Sequence, residues 1–500
     1  MQFVASTTTD SQLSLRLILR SAIFLFITLI CWSLASPVGS SPDENFHIIN
    51  IWCAEGTANE KCTRINLDER GKFGVADIDQ SSCVFERQDE FQRCEQLKPL
   101  EFNMRGESYP NGYYRFMNFF HSLPGSLGFL TMRLLNGLLA SLLLIAQLCL
   151  TGRKQKLAWL TSFTFTLIPM SIFLLSSIHP HAWGILGCVH GWMFLVSALK
   201  RTSSSRFKRY LPWAAWLFSG LLCLVSRYDT FLFFLLSSIL TASATRISIK
   251  KNFPKLFFWF GTLILPLVFL LIFRNPTIKW ILSFPFDPSA NEYTNSTWIG
   301  AWAIRATAIP LEILGSGVMG QNFVQMPPLV WILGLMCLSA ALTFAAMQVS
   351  RKQIVILTLS LALLFYIIIW FNNAMYRDLE NMNGRYIVAL IPFIIGLFIY
   401  LSASPVQLME IRNLRIAVIA LLSVANSISI RTLLDRSING EIYEFSILPL
   451  KLDQADWWWV GIPFGPNFIW ALASVSFFRF LSLVWSTVSM VKPNYNELVK

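Results

Sequence analysis

The chain has 500 residues, with 40 lysines and arginines against 28 aspartates and glutamates, and only 14% charged residues in all. Soluble domains carry about 25% charged residues, and here 54% of the chain is apolar even before glycine is counted. This excludes a soluble enzyme, a disordered protein and a fibrous one. The formal charge of +12 sits in short loops between apolar runs, so it marks topology and gives no reason to expect nucleic acid as a partner.

Apolar runs long enough to cross a bilayer must be helical, because backbone in hydrocarbon has to satisfy its own polar groups. Spans are predicted over residues 15–36, 127–150, 157–176, 179–199, 211–226, 229–245, 254–273, 328–349, 353–371, 385–403, 414–432 and 467–490, about twelve in all. Alternate connections are basic. Arg16 and Arg20 lie at the start of the first span; Arg153, Lys154 and Lys156 follow the second; Lys200, Arg201, Arg206, Lys208 and Arg209 follow the fourth. Later ones carry Arg246, Lys250, Lys251 and Lys255, then Arg351 and Lys352, Arg412 and Arg415, and Lys492 and Lys500. The positive-inside rule places these loops and both termini in the cytoplasm of a multi-pass cell-membrane protein.

The fold expected is therefore an all-α polytopic membrane protein. Residues 1–36 form the cytoplasmic N-terminus and first helix, and 37–126 form a large extracytoplasmic loop subdomain. Helices two to seven fill 127–273, and 274–327 is a second outer loop. Helices eight to eleven fill 328–432, 433–466 is a third outer loop, and 467–500 holds the last helix and a cytoplasmic tail. Trp457, Trp458 and Trp459 suit an interfacial belt. A cleaved signal peptide is the alternative for 1–36, because Leu34-Ala35-Ser36 offers small residues at a cleavage position.

Cys53, Cys62, Cys83 and Cys94 all fall in the first outer loop, a setting in which disulfides persist. Four cysteines allow three connectivities; short local loops favour Cys53–Cys62 and Cys83–Cys94. Cys31, Cys149, Cys188, Cys223 and Cys337 lie in apolar spans as small core residues. Neither CxxC nor a Cys/His pair at zinc spacing occurs.

Five clusters carry groups capable of chemistry, and all fall on the outer side. The first is Ser41-Pro42-Asp43-Glu44-Asn45-Phe46-His47. A carboxylate there can act as general base toward a hydroxyl, and on a helix beginning at Pro42, Asp43 and His47 share a face. The plainer reading is a helix start, with Ser41 as cap and the acids favouring the dipole. The second is Tyr109-Pro110-Asn111-Gly112-Tyr113-Tyr114-Arg115, with His121 beyond it. The third, Ser177-Ile178-His179-Pro180-His181, is a turn whose two histidines suit a metal, an anion or ordinary loop packing.

The fourth is Ser226-Arg227-Tyr228-Asp229, and the fifth is Asn383-Gly384-Arg385-Tyr386. Charges near membrane depth are expensive, which makes Arg227, Asp229 and Arg385 functional candidates; snorkelling or a structural Arg–Asp pair is the alternative. Arg479 lies deeper in the last span, where a partner or a water-lined cavity is expected. Asp77-Ile78-Asp79 spells a cation-binding DxD, a pattern that an acidic loop also produces by chance. Asn295-Ser296-Thr297 is a glycosylation sequon.

Pro42-Asp43-Glu44 with His47 after a first span, Tyr109-Pro110 with Tyr113-Tyr114 before the second, and the late Gly384-Arg385-Tyr386 resemble the domain-of-unknown-function 2142 family of bacterial membrane proteins. The resemblance runs from about residue 20 to 400. That family is similar to the GT-C superfamily of integral membrane glycosyltransferases. These take a sugar from a polyprenyl-phosphate carrier and use an acid of the first outer loop as base or metal ligand. The resemblance implies Asp43 as first choice for base, Glu44 as second and His47 as helper. Arg227 and Arg385 would hold the donor phosphate, with Tyr109, Tyr113, Tyr114, His179, Asp229 and Tyr386 completing a substrate-binding set. It implies a lipid-linked sugar donor, a glycan or lipid acceptor, surrounding membrane lipid, and room for a divalent cation. Two other functions fit the composition: a transporter or lipid-linked sugar flippase, and a non-enzymatic partner in envelope-polysaccharide assembly.

Overall fold

The computed structural model describes residues 2–55, 63–64, 72–74, 102–103, 109–123, 126–200, 205–245, 312–316, 318–319, 324–346, 358, 385, 387–401, 412–439, 452, 459 and 462–489. Helix α1 (Gln2–Leu34) is followed by a short α2 (Glu44–Trp52) and by three two- or three-residue strands, β1 (Thr63–Arg64), β2 (Lys72–Gly74) and β3 (Phe102–Asn103). These pair antiparallel in the order β1-β2-β3, with Arg64 opposite Phe73 and Phe73 opposite Phe102. Helices α3 (Asn111–Asn118), α4 (Ser126–Leu150), α5 (Arg153–Thr166), α6 (Pro169–Leu175), α7 (His181–Lys200), α8 (Arg206–Ser226) and α9 (Tyr228–Ala244) follow. A single π-type turn at Glu312–Ser316 precedes a second small hairpin, β4 (Val318–Met319) and β5 (Val324–Gln325). The chain then continues through α10 (Pro328–Ala346), α11 (Ile391–Leu401), α12 (Arg412–Asn439) and α13 (Pro466–Ser489).

Among the described residues, five helical stretches are long and apolar enough to cross a bilayer: Leu15–Leu34, Leu127–Leu150, His181–Lys200, Arg412–Ile438 and Pro466–Thr487. A sixth is a bent pair. The span expected as one rod over 157–176 breaks by 87° between Thr166 and Pro169. Proline has no N–H to continue the ladder but starts a helix well, so α6 sets off in a new direction from Pro169. The expected span 254–273 and all of 353–371 except residue 358 lie outside the described residues, as do Cys62, Cys83, Cys94, Asp77, Asp79, Asn295, Trp457 and Trp458.

Which face each helix buries follows from its residues. Leu15, Leu19 and Ile23 form an exposed apolar stripe at four-residue spacing on α1, which suits lipid tails, while Leu25, Leu29 and Trp32 pack inward. Helix α7 is apolar on every side, and all residues from His181 to Leu199 are buried. Such a helix belongs at the centre of a bundle. It packs on α8 and α9, α1 packs on α13 and α4, and α11 packs on α5. Polar contacts tie these layers: Thr28 to Ser476 at 3.0 Å, and the Trp32 indole N–H to Asn426 Oδ1 at 3.0 Å. Two sequence expectations change here. Trp459 is buried and donates its indole N–H to the Leu34 carbonyl at 3.0 Å, instead of lying in an interfacial belt. Arg479 is exposed on α13, where its long stem can carry the charge to the headgroups.

Close packing of α7 on α8 depends on Gly187. A Cβ there would meet the Ser219 carbonyl at 2.5 Å, a backbone atom that cannot step aside. Small residues let membrane helices approach this closely. Gly187→Leu is expected to lower the thermal unfolding midpoint in detergent through a destabilisation of about 1–3 kcal/mol; an unchanged midpoint would mean that the interface has slack.

Candidate functional site

The site forms where chain segments meet beyond the C-terminal end of α1. After Leu34 the chain turns through Gly39, at φ 87°, and reaches Asp43, the one non-glycine at positive φ among the described residues (φ 54°). Asp43, not Ser41, occupies the cap position of α2, and its side chain makes no cap hydrogen bond. The carboxylate instead receives Arg385 Nη2 on Oδ2 at 2.8 Å. An acid beside the first span and an arginine more than three hundred residues later thus form an ion pair, with the Asp43 side chain 36% exposed and Arg385 10% exposed. Strained backbone held by surrounding structure is a common mark of functional sites.

Glu44 has the opposite environment. It is fully buried and accepts four hydrogen bonds: Arg133 Nε at 2.9 Å and Nη2 at 2.6 Å, the Ile178 N–H at 2.8 Å and the Gly39 N–H at 2.9 Å. Arg133 spends its remaining donors on the carbonyls of Ser33, Ser36 and Pro37 at 2.6–2.9 Å. These are the carbonyls released where α1 ends, so one guanidinium caps that helix and clamps α2, α4 and the 176–180 turn together. Burial opposes the charge on Glu44, but Arg133 and the two amides outweigh it and hold the carboxyl below its ordinary value. A carboxylate with both oxygens so engaged, and no solvent access, has no lone pair to offer a substrate. The expectation of Glu44 as an alternative base is corrected on that ground. Arg133 itself escaped the sequence reading; the signal was a lone charge in an otherwise apolar span.

His47, at the fourth residue of α2, is buried, and its Nδ1 pairs with the Tyr114 hydroxyl at 2.9 Å. Its ring lies edge-on to His179, with centroids 4.3 Å apart, and edge-on to Tyr109 at 5.5 Å. His179 stacks on His181 at 5.1 Å. Arg227 makes a two-pronged ion pair with Asp229 at 2.8–2.9 Å and donates Nη1 to the Tyr109 hydroxyl at 3.1 Å. Its guanidinium also covers the Tyr109 ring at 5.0 Å. The structural Arg–Asp pair weighed for this motif is therefore present, and it borders the histidines. Tyr113 is buried one layer back, its ring edge against Trp183 at 5.0 Å. His121 sits apart, bonded to the Asn118 carbonyl and packed on Trp52. Tyr386 lies outside the described residues.

Burial first, and then the positive charge of Arg227 and Arg385, holds the His47 imidazole well below its ordinary value of 6.5. His179 is held down in the same way, by burial and then by its histidine neighbours and both arginines. Both rings are neutral at neutral pH. Five of the expected segments thus converge on one pocket: the Asp43–His47 helix start, Tyr109 with Tyr114, the His179 turn, Arg227 and Arg385.

Asp43, His47 and His179 have donor atoms within 4.8 Å of one another, which invites a metal. The hydrogen-bond polarity does not fit one. His179 Nδ1 accepts the His181 N–H at 3.0 Å, so in the neutral ring the hydrogen is on Nε2. A ligating imidazole needs the reverse arrangement, with its far nitrogen donating to an acceptor.

These features define a class: an α-helical membrane protein with several apolar helices long enough to cross a membrane and a cluster of polar side chains, mostly buried, where helix ends meet. The family model described as "Predicted membrane protein (DUF2142)" matches residues 25–394, and the chain belongs to that family. No curated protein and no solved structure matches the chain.

Proposed function

We propose that the protein is an integral membrane glycosyltransferase that moves a sugar from a polyprenyl-phosphate donor to an extracytoplasmic glycan or lipid acceptor. The observation that carries this reading is the ion pair between Asp43 and Arg385 beside Arg227. A partly exposed acid and two guanidiniums gather at one cluster, a set of groups suited to a phosphate and an attacking hydroxyl. In the reaction, the acceptor hydroxyl gives its proton to the Asp43 carboxylate as its oxygen bonds to the anomeric carbon. The bond from that carbon to the phosphate oxygen breaks, and the electron pair leaves with the phosphate. Fixed cations favour that developing charge, and the guanidinium fork matches phosphate geometry.

This reading completes the architecture with about twelve spans, both termini cytoplasmic, and residues 37–126 as an outer subdomain braced by Cys53–Cys62 and Cys83–Cys94 disulfides. Glu44 and Arg133 are framework in it, and Asp229 and Tyr109 orient Arg227.

The test is purified protein in liposomes supplied with a polyprenyl-phosphate hexose and an acceptor glycan, following loss of the donor. The wild type is expected to consume donor, and Arg227→Lys, which keeps the charge but loses the fork, to raise the donor KM about tenfold. Failure to consume any polyprenyl-phosphate sugar across hexose, pentose and aminosugar donors would overturn the proposal.

A further inference from the structure

His47 and His179 each bury an Nε2 atom that has no hydrogen-bond partner among the described residues. His47 is 0% exposed and His179 is 1% exposed. Buried polar atoms are almost always paired, so two such atoms beside one carboxylate mark a place where something else binds. The identity of that ligand turns on proton placement and on local field.

His179 is fixed: the His181 amide occupies Nδ1, so Nε2 carries hydrogen and can only donate. His47 is adaptable. The Tyr114 hydroxyl can donate to its Nδ1 or accept from it, so the His47 Nε2 can either donate or accept. The Arg227 and Arg385 guanidiniums act on both rings, each paired with a carboxylate, Asp229 and Asp43. A hydrogen-bond donor fixed on His179 Nε2 repels a cation and attracts an anionic oxygen that the same guanidiniums can reach.

We infer that the space between His47, His179 and Asp43 is a subsite for an anionic phosphoryl oxygen and not for a divalent cation, with His179 Nε2–H as its fixed neutral donor. The inference rests on the transferase reading for the source of that oxygen, the donor phosphate. It adds that the protein handles this phosphate without a bridging metal. Arg227 and Arg385 supply charge, and His179 supplies direction. Asp43, its Oδ2 held by Arg385, then meets the acceptor hydroxyl without competing for a metal.

Two measurements on the full-length protein in detergent decide the matter. The first is binding of farnesyl phosphate by calorimetry, with and without EDTA, to the wild type, His179→Gln and His179→Phe. Gln retains an N–H donor, whereas Phe retains the ring volume and removes the donor. The subsite predicts binding indifferent to EDTA, kept within about threefold by His179→Gln and weakened about tenfold or more by His179→Phe, a loss of about 1.4 kcal/mol. Thermal midpoints of the variants confirm that they fold. The second is metal analysis of the wild type after exposure to Mn2+ and Zn2+, which needs no variant.

Stoichiometric metal that disappears with His47→Gln, phosphate binding abolished by EDTA, or full binding by a folded His179→Phe would each overturn the inference. The expected binding pattern in a protein that transfers no sugar would uphold the subsite and remove only the transferase reading.

Discussion

Replacing Arg133 with methionine is expected to cost the folded protein about 3–5 kcal/mol, the usual penalty for leaving one half of a buried ion pair behind. The size of the effect follows from the number of groups left without partners. Glu44 would keep only two of its four hydrogen bonds, those from the Gly39 and Ile178 amides. Three carbonyls at the end of α1 would lose their donor in a fully buried setting. A sharply lower thermal midpoint in detergent, with reduced recovery of monodisperse protein, is the expected result. Adding Glu44→Leu should recover only part of the loss, because the carbonyls of Ser33, Ser36 and Pro37 remain without a donor. A midpoint equal to that of the wild type in Arg133→Met would show that water or another group replaces the clamp.

The same pair sets an acid limit. Glu44 has a folded-state pKa below its ordinary value of 4.5, so its stabilisation is present in full above that value. It is lost only as pH falls through the depressed one. Mild acid should leave the fold untouched, and Glu44→Gln should abolish this part of the low-pH loss.

Under the proposed transferase function, Asp43→Asn carries the second large effect. Removing a general base lowers turnover by about 100- to 10,000-fold, and the substitution isolates that chemistry unusually well. Asp43 sits at φ 54° and ψ 14°, a conformation that asparagine also tolerates. The amide oxygen can still accept the Arg385 hydrogen bond. Backbone, cap position and contact therefore survive while basicity is lost. The expected outcome is a wild-type unfolding midpoint with donor consumption down at least about 100-fold. Undiminished turnover in a folded Asp43→Asn protein would remove Asp43 from the mechanism.

Much of the membrane architecture was legible from sequence because its physics is one-dimensional. Leu127–Leu150 and Pro466–Thr487 match apolar runs that composition alone delimits, within a few residues. The candidate segments were legible for a related reason: an Asp, an Arg or a His where apolar residues are the rule stands out. Which of them meet, and how, was not. Asp43 and Glu44 were separable only as first and second choice of base, yet one is partly exposed beside Arg385 and the other is sealed by Arg133. That distinction arises from α4 and the 176–180 turn, which contribute Arg133 and the Ile178 amide from far along the chain. The orientation of His179 depends on one amide hydrogen two residues away, a detail set by the turn that Pro180 imposes and invisible to residue spacing.

The separation of 342 residues between Asp43 and Arg385 also has a consequence in time. A ribosome adding about 5–20 residues per second delivers the arginine on the order of half a minute after the aspartate. Throughout that interval Asp43 waits without its Arg385 partner. The site therefore cannot be completed before residue 385 is made, and chains truncated before it would insert their early helices yet never assemble it.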